Sequence, residues 1–238
     1  MKSIKTFGAL AFLAFIIIAV LTSPLFSVGN VSVKGSNKLT DNYILKTVNL
    51  DEQLNIFAFR ARNAERALKA NPYVADVSIK KNLLARTVDI NVKERVVCGY
   101  VEYMSSYLYI DEDGRVLETS AQMDERLPVV VGFKPNGFIV GNILQFDGDA
   151  ASFDTLVVLT RLIKKYGLEE SVAQVSLKEE NNARIYINGI DVELGDTQDA
   201  DEKIGMVKSI VQILANDNVK GFLDIKDITR PARFKFLT

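Results

Sequence analysis

The chain has 238 residues, with 29 Lys and Arg against 30 Asp and Glu, a net charge of −1 and a hydrophobic fraction of 48%. This is a globular composition with room for one large or two small domains, without the basic excess that nucleic-acid binding demands or the low hydrophobicity of a disordered chain. Absent histidine removes Ser-His-Asp and Cys-His nucleophiles and histidine-based zinc sites, absent tryptophan weakens carbohydrate stacking, and the single cysteine, Cys98, permits no intramolecular disulfide.

Lys2 and Lys5 lead into Phe7–Val28, a stretch without a charge. At about 1.5 Å of rise per residue it is long enough to cross a hydrocarbon core of about 30 Å as a helix. The anchoring side chains are Phe7, Leu10, Phe12, Leu13, Phe15, Ile16, Ile17, Ile18, Val20 and Leu21. Because both lysines precede it, the positive-inside rule keeps the N-terminus cytoplasmic and sends Asn30–Thr238 across the membrane. The competing reading is a signal peptide cleaved near Ser27-Val28-Gly29; its apolar region sits at the upper limit of length, and glycine matches an A-x-A ending poorly. Either way the remainder is exported, so Cys98 is expected as a small buried apolar residue rather than half of a bridge. Leader and span together occupy residues 1–29.

Val31 and Val33 alternate with polar neighbours in a short strand that stops at Gly35-Ser36-Asn37. Thr40 is placed to cap a helix whose Tyr43, Ile44, Leu45 and Val48 share one face. Asp51–Phe57 reads as a loop, and a second helix over Ala61–Ala70 ends at Asn71-Pro72, since proline disfavours helical geometry in the residue before it. Two strands follow, one with Val74, Val77 and Ile79 and one with alternating Val88, Ile90 and Val92, joined by a hairpin over Asn82–Arg86. The order strand–helix–helix–strand–strand is a small α+β module. Arg62, Arg66 and Lys69 line one face of its second helix, with Lys80-Lys81 near the hairpin; a solvated face is the plain reading, and a basic face toward anionic lipid or an acidic partner the functional one.

Beyond Arg95 the pattern turns to strands: Val96–Tyr103, Ser106–Ile110 and Arg115–Thr119, with a turn at Asp111-Glu112-Asp113-Gly114 whose spacing lacks the alternate ligands of a calcium loop. Leu127-Pro128 leads into a buried strand at Val129–Val131, and Phe133–Gly141 reads as loop and turn. A helix capped by Ser152 or Asp154 reaches Tyr166 and stops at Gly167. Strands at Val172–Leu177, Ala183–Ile187 and Asp191–Leu194 follow. Asp199 and Glu202 have capping-box spacing ahead of Ile204, Val207, Val211 and Leu214, one face of a helix ending near Asn216. A final strand, Gly221–Lys226, precedes Arg230-Pro231 and a tail ending Phe234-Lys235-Phe236.

No catalytic constellation emerges from this order. Carboxylates are plentiful, so a paired-acid hydrolase is open by count, but no spacing sets two across a cleft. Phosphate-cradling glycine loops, G-x-S-x-G and C-x-x-C are absent, and neither Ser105-Ser106 nor Asp196-Thr197 has a neighbouring base. The better physical reading is a binding protein that offers a sheet edge or helix face, needing no metal, cofactor or small-molecule substrate.

The layout resembles the FtsQ/DivIB family of bacterial cell-division proteins. Val31-Ser32-Val33-Lys34-Gly35 with Thr40, Asn71-Pro72-Tyr73-Val74, and Ile90-Asn91-Val92-Lys93-Glu94-Arg95 are similar to the family's POTRA module, here residues 30–94. Tyr109-Ile110-Asp111-Glu112-Asp113-Gly114, Leu127-Pro128-Val129, Gly189–Gly195 and the helix near Lys203 resemble its β-domain, here residues 95–238. Ala85 and Val97 stand where the family often has proline, and the leader is short for the family. The implied fold is α+β: a transmembrane helix, a small βααββ POTRA domain, then a β-rich domain with two longer helices.

The resemblance implies a non-enzymatic, single-pass divisome scaffold at the septum, extracytoplasmic beyond its span. Its β-domain would recruit FtsB/DivIC-type and FtsL-type membrane proteins and link them to septal peptidoglycan synthesis. In the family the last β-domain strand is the edge to which a partner strand is added, which assigns that role to Gly221, Phe222, Leu223, Asp224, Ile225 and Lys226, with Asp227 and Ile228 beside them. The alternative from the transport class is a POTRA-type polypeptide chaperone component at the membrane.

Overall fold

The computed structural model describes residues 2–21, 23–51, 53–132, 134–146, 150–179, 181–214 and 219–237. The chain divides into two compact units, Met1–Arg95 and Val96–Thr238.

In the first unit, α1 (Lys2–Leu21) is a helix whose described apolar side chains are all exposed, from Phe7 at 76% to Ile16 at 42%. Phe12, Leu13, Phe15, Ile17 and Ile18 are exposed likewise, and the side chains of Val20 and Leu21 lie outside those described. Among the described residues no helix is long and apolar enough to cross a membrane. The expected uninterrupted stretch to Val28 is corrected: α1 ends at Leu21, and Pro24–Phe26 form a single 3-10 turn. Val28 is instead 4% exposed in the core of the unit, its N–H donating to the Leu54 carbonyl at 2.9 Å, and Phe26 stacks edge-on against Phe57 at 5.2 Å. Apolar character alone does not say whether a residue meets lipid or a protein core.

The module that follows is built as its pattern dictates. Thr40 accepts from the N–H of Tyr43 at 3.2 Å and starts α2 (Asp41–Thr47); α3 (Ala61–Lys69) ends before Asn71-Pro72. Strands β1 (Asn30–Lys34), β2 (Val74–Asn82) and β3 (Thr87–Glu94) form one sheet in the order β1-β3-β2, with β1 parallel and β2 antiparallel to β3. Ile44, Ile56, Leu68, Val88 and Ile90 have no exposed surface and make one core. Each such side chain contributes about 1.5–3 kcal/mol by leaving water. The end of β3 is tied down by charge: the Glu94 carboxylate accepts the N–H groups of Asn37, Lys38 and Leu39 at 2.8–3.0 Å. Of the basic residues, Lys69 pairs with Asp76 at 2.7 Å, and Lys81 donates to the carbonyls of Ile56 and Phe59 at 3.1 and 2.7 Å.

The second unit is one nine-stranded sheet carrying two helices on one face. Its strands are β4 (Gly99–Tyr103), β5 (Ser106–Ile110), β6 (Val116–Ser120), β7 (Val129–Val131), β10 (Val172–Glu179), β11 (Asn182–Ile187), β12 (Ile190–Gly195), β13 (Gly221–Asp224) and β14 (Arg233–Phe236). They lie in the order β14-β13-β12-β11-β10-β7-β4-β5-β6. Two tight hairpin turns set the register: Met104-Ser105 at φ 45 and 62, and Asn188-Gly189 at φ 48 and 84, the left-handed pair that matches strand twist. Helices α4 (Ala150–Tyr166) and α5 (Ala200–Leu214) pack Leu156, Leu159, Ile163, Ile204 and Val207 against Leu108, Val175, Ile185, Val192 and Leu223. Cys98 is 2% exposed beside this sheet, and burial pushes its thiol up to about 12.

Several local expectations change. Ser152 and Asp154 lie inside α4 rather than capping it. Asp199 adopts φ 55, not the extended backbone of an N-cap, and the Lys203 N–H bonds its carbonyl at 3.0 Å. Within the expected loop after β7, β8 (Pro135–Gly137) pairs with β9 (Gln145–Phe146); Phe133 and the helix end near Asn216 lie outside the described residues. The Asp111 carboxylate accepts from the N–H of Asp113 and Arg115 at 2.9 and 2.8 Å, closing the acidic turn on itself.

Candidate functional site

An open sheet edge is a row of unpaired N–H and C=O groups, so the ends of the two sheets are the first places to look for docking. At β2 the edge is occupied locally: Glu65, on α3, accepts the Ile79 N–H at 2.9 Å. At β6 the entry is covered by the loop after β8: the Val116 N–H donates to the Asn142 carbonyl at 2.9 Å, and its carbonyl accepts the Gly141 N–H at 2.7 Å. The remaining end of the large sheet is its C-terminal corner.

There the expectation that Gly221–Lys226 forms the edge is corrected. β13 spans Gly221–Asp224 and runs parallel to β12, with Ile190 opposite Gly221 and Glu193 opposite Asp224. Its other side is bonded antiparallel to β14, with Gly221 opposite Phe236, Leu223 opposite Phe234, and Asp224 opposite Arg233. β13 is therefore one strand in from the edge, and β14 is the edge. Sequence reasoning missed β14 by treating residues after Arg230-Pro231 as a tail. The signal was present in Arg233-Phe234-Lys235-Phe236, a period-two alternation, but too short to stand out.

The remaining residues assigned to docking fall into a strand part and a turn part. Gly221 is buried, Leu223 and Ile225 are 1% and 2% exposed, and Phe222 and Asp224 are half-buried on the opposite face. The Ile225 N–H still bonds the Glu193 carbonyl at 3.1 Å, and the exposed Lys226 reaches the Glu193 carboxylate at 3.1 Å. Ile228 is half-buried. Asp227 accepts the Thr229 N–H at 3.0 Å and its hydroxyl at 2.6 Å, and pairs with the Arg230 guanidinium at 3.1 Å. The Thr229 hydroxyl, then its N–H and the Arg230 charge, hold the Asp227 carboxyl below the usual carboxylate range. Nearby, Lys203 is only 2% exposed and donates to the Asp196 carbonyl and carboxylate, both at 3.1 Å.

On the sheet face away from the helices, the Arg184 guanidinium pairs with Asp191 and lies 5.5 Å from the Phe222 ring centroid. It borders a hollow of about 460 Å³ lined also by Gln174, Ser176 and Tyr186. Among the described residues no group of acidic or cysteine side chains is placed to hold a metal ion. At the corner the outer backbone edge belongs to β14, and the Phe234 ring fills the notch at Gly221.

Residues 26–95 match the family model described as POTRA domain, FtsQ-type, and residues 99–227 match that described as Cell division protein FtsQ/DivIB, C-terminal. The second match takes in β13 and stops before β14. The cell division protein DivIB of Clostridium tetani is 29% identical over 199 residues, 83% of this chain and 74% of that one. DivIB of Staphylococcus aureus strain NCTC 8325 is 24% identical over 209 residues, 85% of this chain but 45% of the longer relative. A solved structure of the major extracytoplasmic domain of DivIB from Geobacillus stearothermophilus aligns with 52% of this chain and 98% of its own, at 17% identity and a TM-score of 0.34.

Proposed function

The chain belongs to the FtsQ/DivIB family of cell-division proteins, and from that premise we propose that it is a non-enzymatic scaffold of the divisome. In this reading it recruits FtsB/DivIC-type and FtsL-type membrane proteins to the septum and so links them to septal peptidoglycan synthesis. The observation that carries the proposal is the ordered match of both modules behind an apolar N-terminal helix.

The proposed anchor is α1. Phe7–Leu21 carries no charge, two lysines precede it, and its described apolar side chains are exposed on all sides, as suits a helix whose surroundings are themselves apolar. The POTRA domain, residues 30–94, and the β-domain, residues 95–238, then stand outside the cytoplasm. The proposed docking region is the C-terminal corner of the large sheet, Gly221–Ile228. Supporting it within the large sheet, the opposite end is covered at the entry to β6 by the loop at Gly141–Asn142.

Two measurements test the proposal. Depletion in the host is expected to give filaments or failed septa; normal division after depletion refutes the scaffold role. Full-length chain in detergent micelles is expected to capture the ectodomain of the host's DivIC-type protein, and Ile225→Pro is expected to weaken capture while residues 30–94 stay folded. Unchanged capture moves the site away from β13.

A further inference from the structure

Resting on the reading that the C-terminal corner receives a division partner, we propose that docking proceeds by strand exchange. β14 stands in the place of the partner's strand, lifts away from β13, and is replaced by an extended segment of the partner.

β13 is constructed as an interior strand. Gly221, Leu223 and Ile225 are buried, so it needs a neighbour on both sides. β14 fills that need with little of its own to hold it. It is four residues long, and among the described residues β13 is the one strand it pairs with. Arg233, Lys235 and Phe236 are exposed, the last by 68%, and Phe234 is its one side chain packed on the core. Two ion pairs that fix the preceding turn, Lys226–Glu193 and Arg230–Asp227, lie ahead of Pro231. A hinge at Pro231 therefore frees β14 without disturbing β13 or the turn. Addition outside β14 is the less favourable route: the edge is short, it carries Arg233 and Lys235, and basic residues on an edge discourage further pairing.

The occupied site also specifies the replacement. The Phe234 ring leans over Gly221 so closely that a Cβ there would sit 2.4 Å from its Cζ and 2.6 Å from the Lys235 carbonyl oxygen. The incoming segment runs antiparallel to β13 and places an aromatic or similarly large apolar side chain opposite Leu223, above the Gly221 notch. Two residues on, where Phe236 now lies opposite Gly221, a second apolar residue continues the same face. The residue between them faces Phe222, as Lys235 does.

The test measures binding of the DivIC-type partner ectodomain to full-length chain in micelles, in three forms: intact, ending at Arg230, and carrying Phe222→Cys with Lys235→Cys. Those two positions lie directly opposite, and the native Cys98 is too buried to interfere. Exchange predicts that the shortened chain binds about tenfold tighter or more, because the competent state is no longer a minor fraction. It also predicts that the shortened chain, unlike the intact one, captures a labelled peptide of sequence Pro231–Thr238, and that Phe234→Ala in the peptide abolishes capture. Oxidising the cysteine pair is expected to block partner binding and reductant to restore it. Loss of binding on shortening, with binding retained in the oxidised form, means the partner adds outside β14 and overturns exchange while leaving the docking region standing. Absence of partner binding in every form, with each folded by circular dichroism, overturns the docking reading itself and exchange with it.

Discussion

Gly221→Ala adds a single carbon at the most crowded point of the C-terminal corner. The new Cβ would lie 2.4 and 2.8 Å from the Phe234 ring and 2.6 Å from the Lys235 carbonyl oxygen, all of them atoms of β14. Something must move, and β13 is the less free to do so. It is in register with β12 along its whole length, and Leu223 is locked into the core at 1% exposure. The clash therefore falls on β14, with an overpacking cost of about 1–3 kcal/mol, or about five- to 150-fold in its local opening equilibrium. Native-state hydrogen exchange reads this directly. The Leu237 amide, bonded to the Lys220 carbonyl at 3.0 Å, reports on β14; the Ile225 amide, bonded to Glu193, reports on the β12 side. Exchange at Leu237 is expected to rise by that factor while Ile225 keeps its protection. Equal acceleration at both positions would show β13 moving as a whole, and no acceleration at Leu237 would show that the notch is not shaped by Phe234; either refutes the reasoning.

The remaining expectations concern the two cores. Glu94→Gln removes the charge shared by three N–H groups and is expected to cost about 2 kcal/mol, seen as an earlier melt of the first unit with the tertiary signal of the second unchanged. Leu108→Ala, at a position with no exposed surface, is expected to cost about 2–5 kcal/mol in urea unfolding of the second unit; a shift below 1 kcal/mol would mean the site collapses around the cavity. Cys98, its thiol pushed up to about 12 by burial, is expected to resist iodoacetamide at pH 8 in the native protein and to react in urea. The sign follows from that direction: the folded value lies above the ordinary 9.0, so the contribution is present below pH 9 and lost as pH rises toward 12. Thermal melts at pH 7 and pH 10.5 check it, the second being the lower.

Features set by a few neighbouring residues were readable from the chain. Thr40 announces α2 because its side chain reaches an N–H three residues on, and Val88, Ile90 and Val92 announce β3 because one face of the strand is buried. Asn188-Gly189 similarly announces its hairpin. What failed was set by tertiary surroundings. Phe26 and Val28 are as apolar as Ile17, and only the fold tells that Val28 belongs to the core of the first unit. Ser152 and Asp154 suit a cap, yet α4 begins at Ala150. The identity of the edge strand depends on sheet order, which no window of sequence contains: the pattern at Gly221–Lys226 reveals a strand, but not that residues 233–236 fold back to cover it.

That covering strand changes what the proposed anchor would be for. A segment joined to its site by the short connector 225–232 acts at an effective concentration on the order of millimolar, so in the proposed exchange β14 weakens, without abolishing, the capture of a partner strand supplied from solution. A partner tethered in the same membrane is held to a thin layer and competes on comparable terms. In the proposed reading, α1 therefore does more than retain the protein: it brings the two rival strands within reach of the same edge. Exchange then favours partners resident in the same bilayer, and a soluble form of this chain, intact in its β-domain, would bind its partner more weakly than the anchored one does.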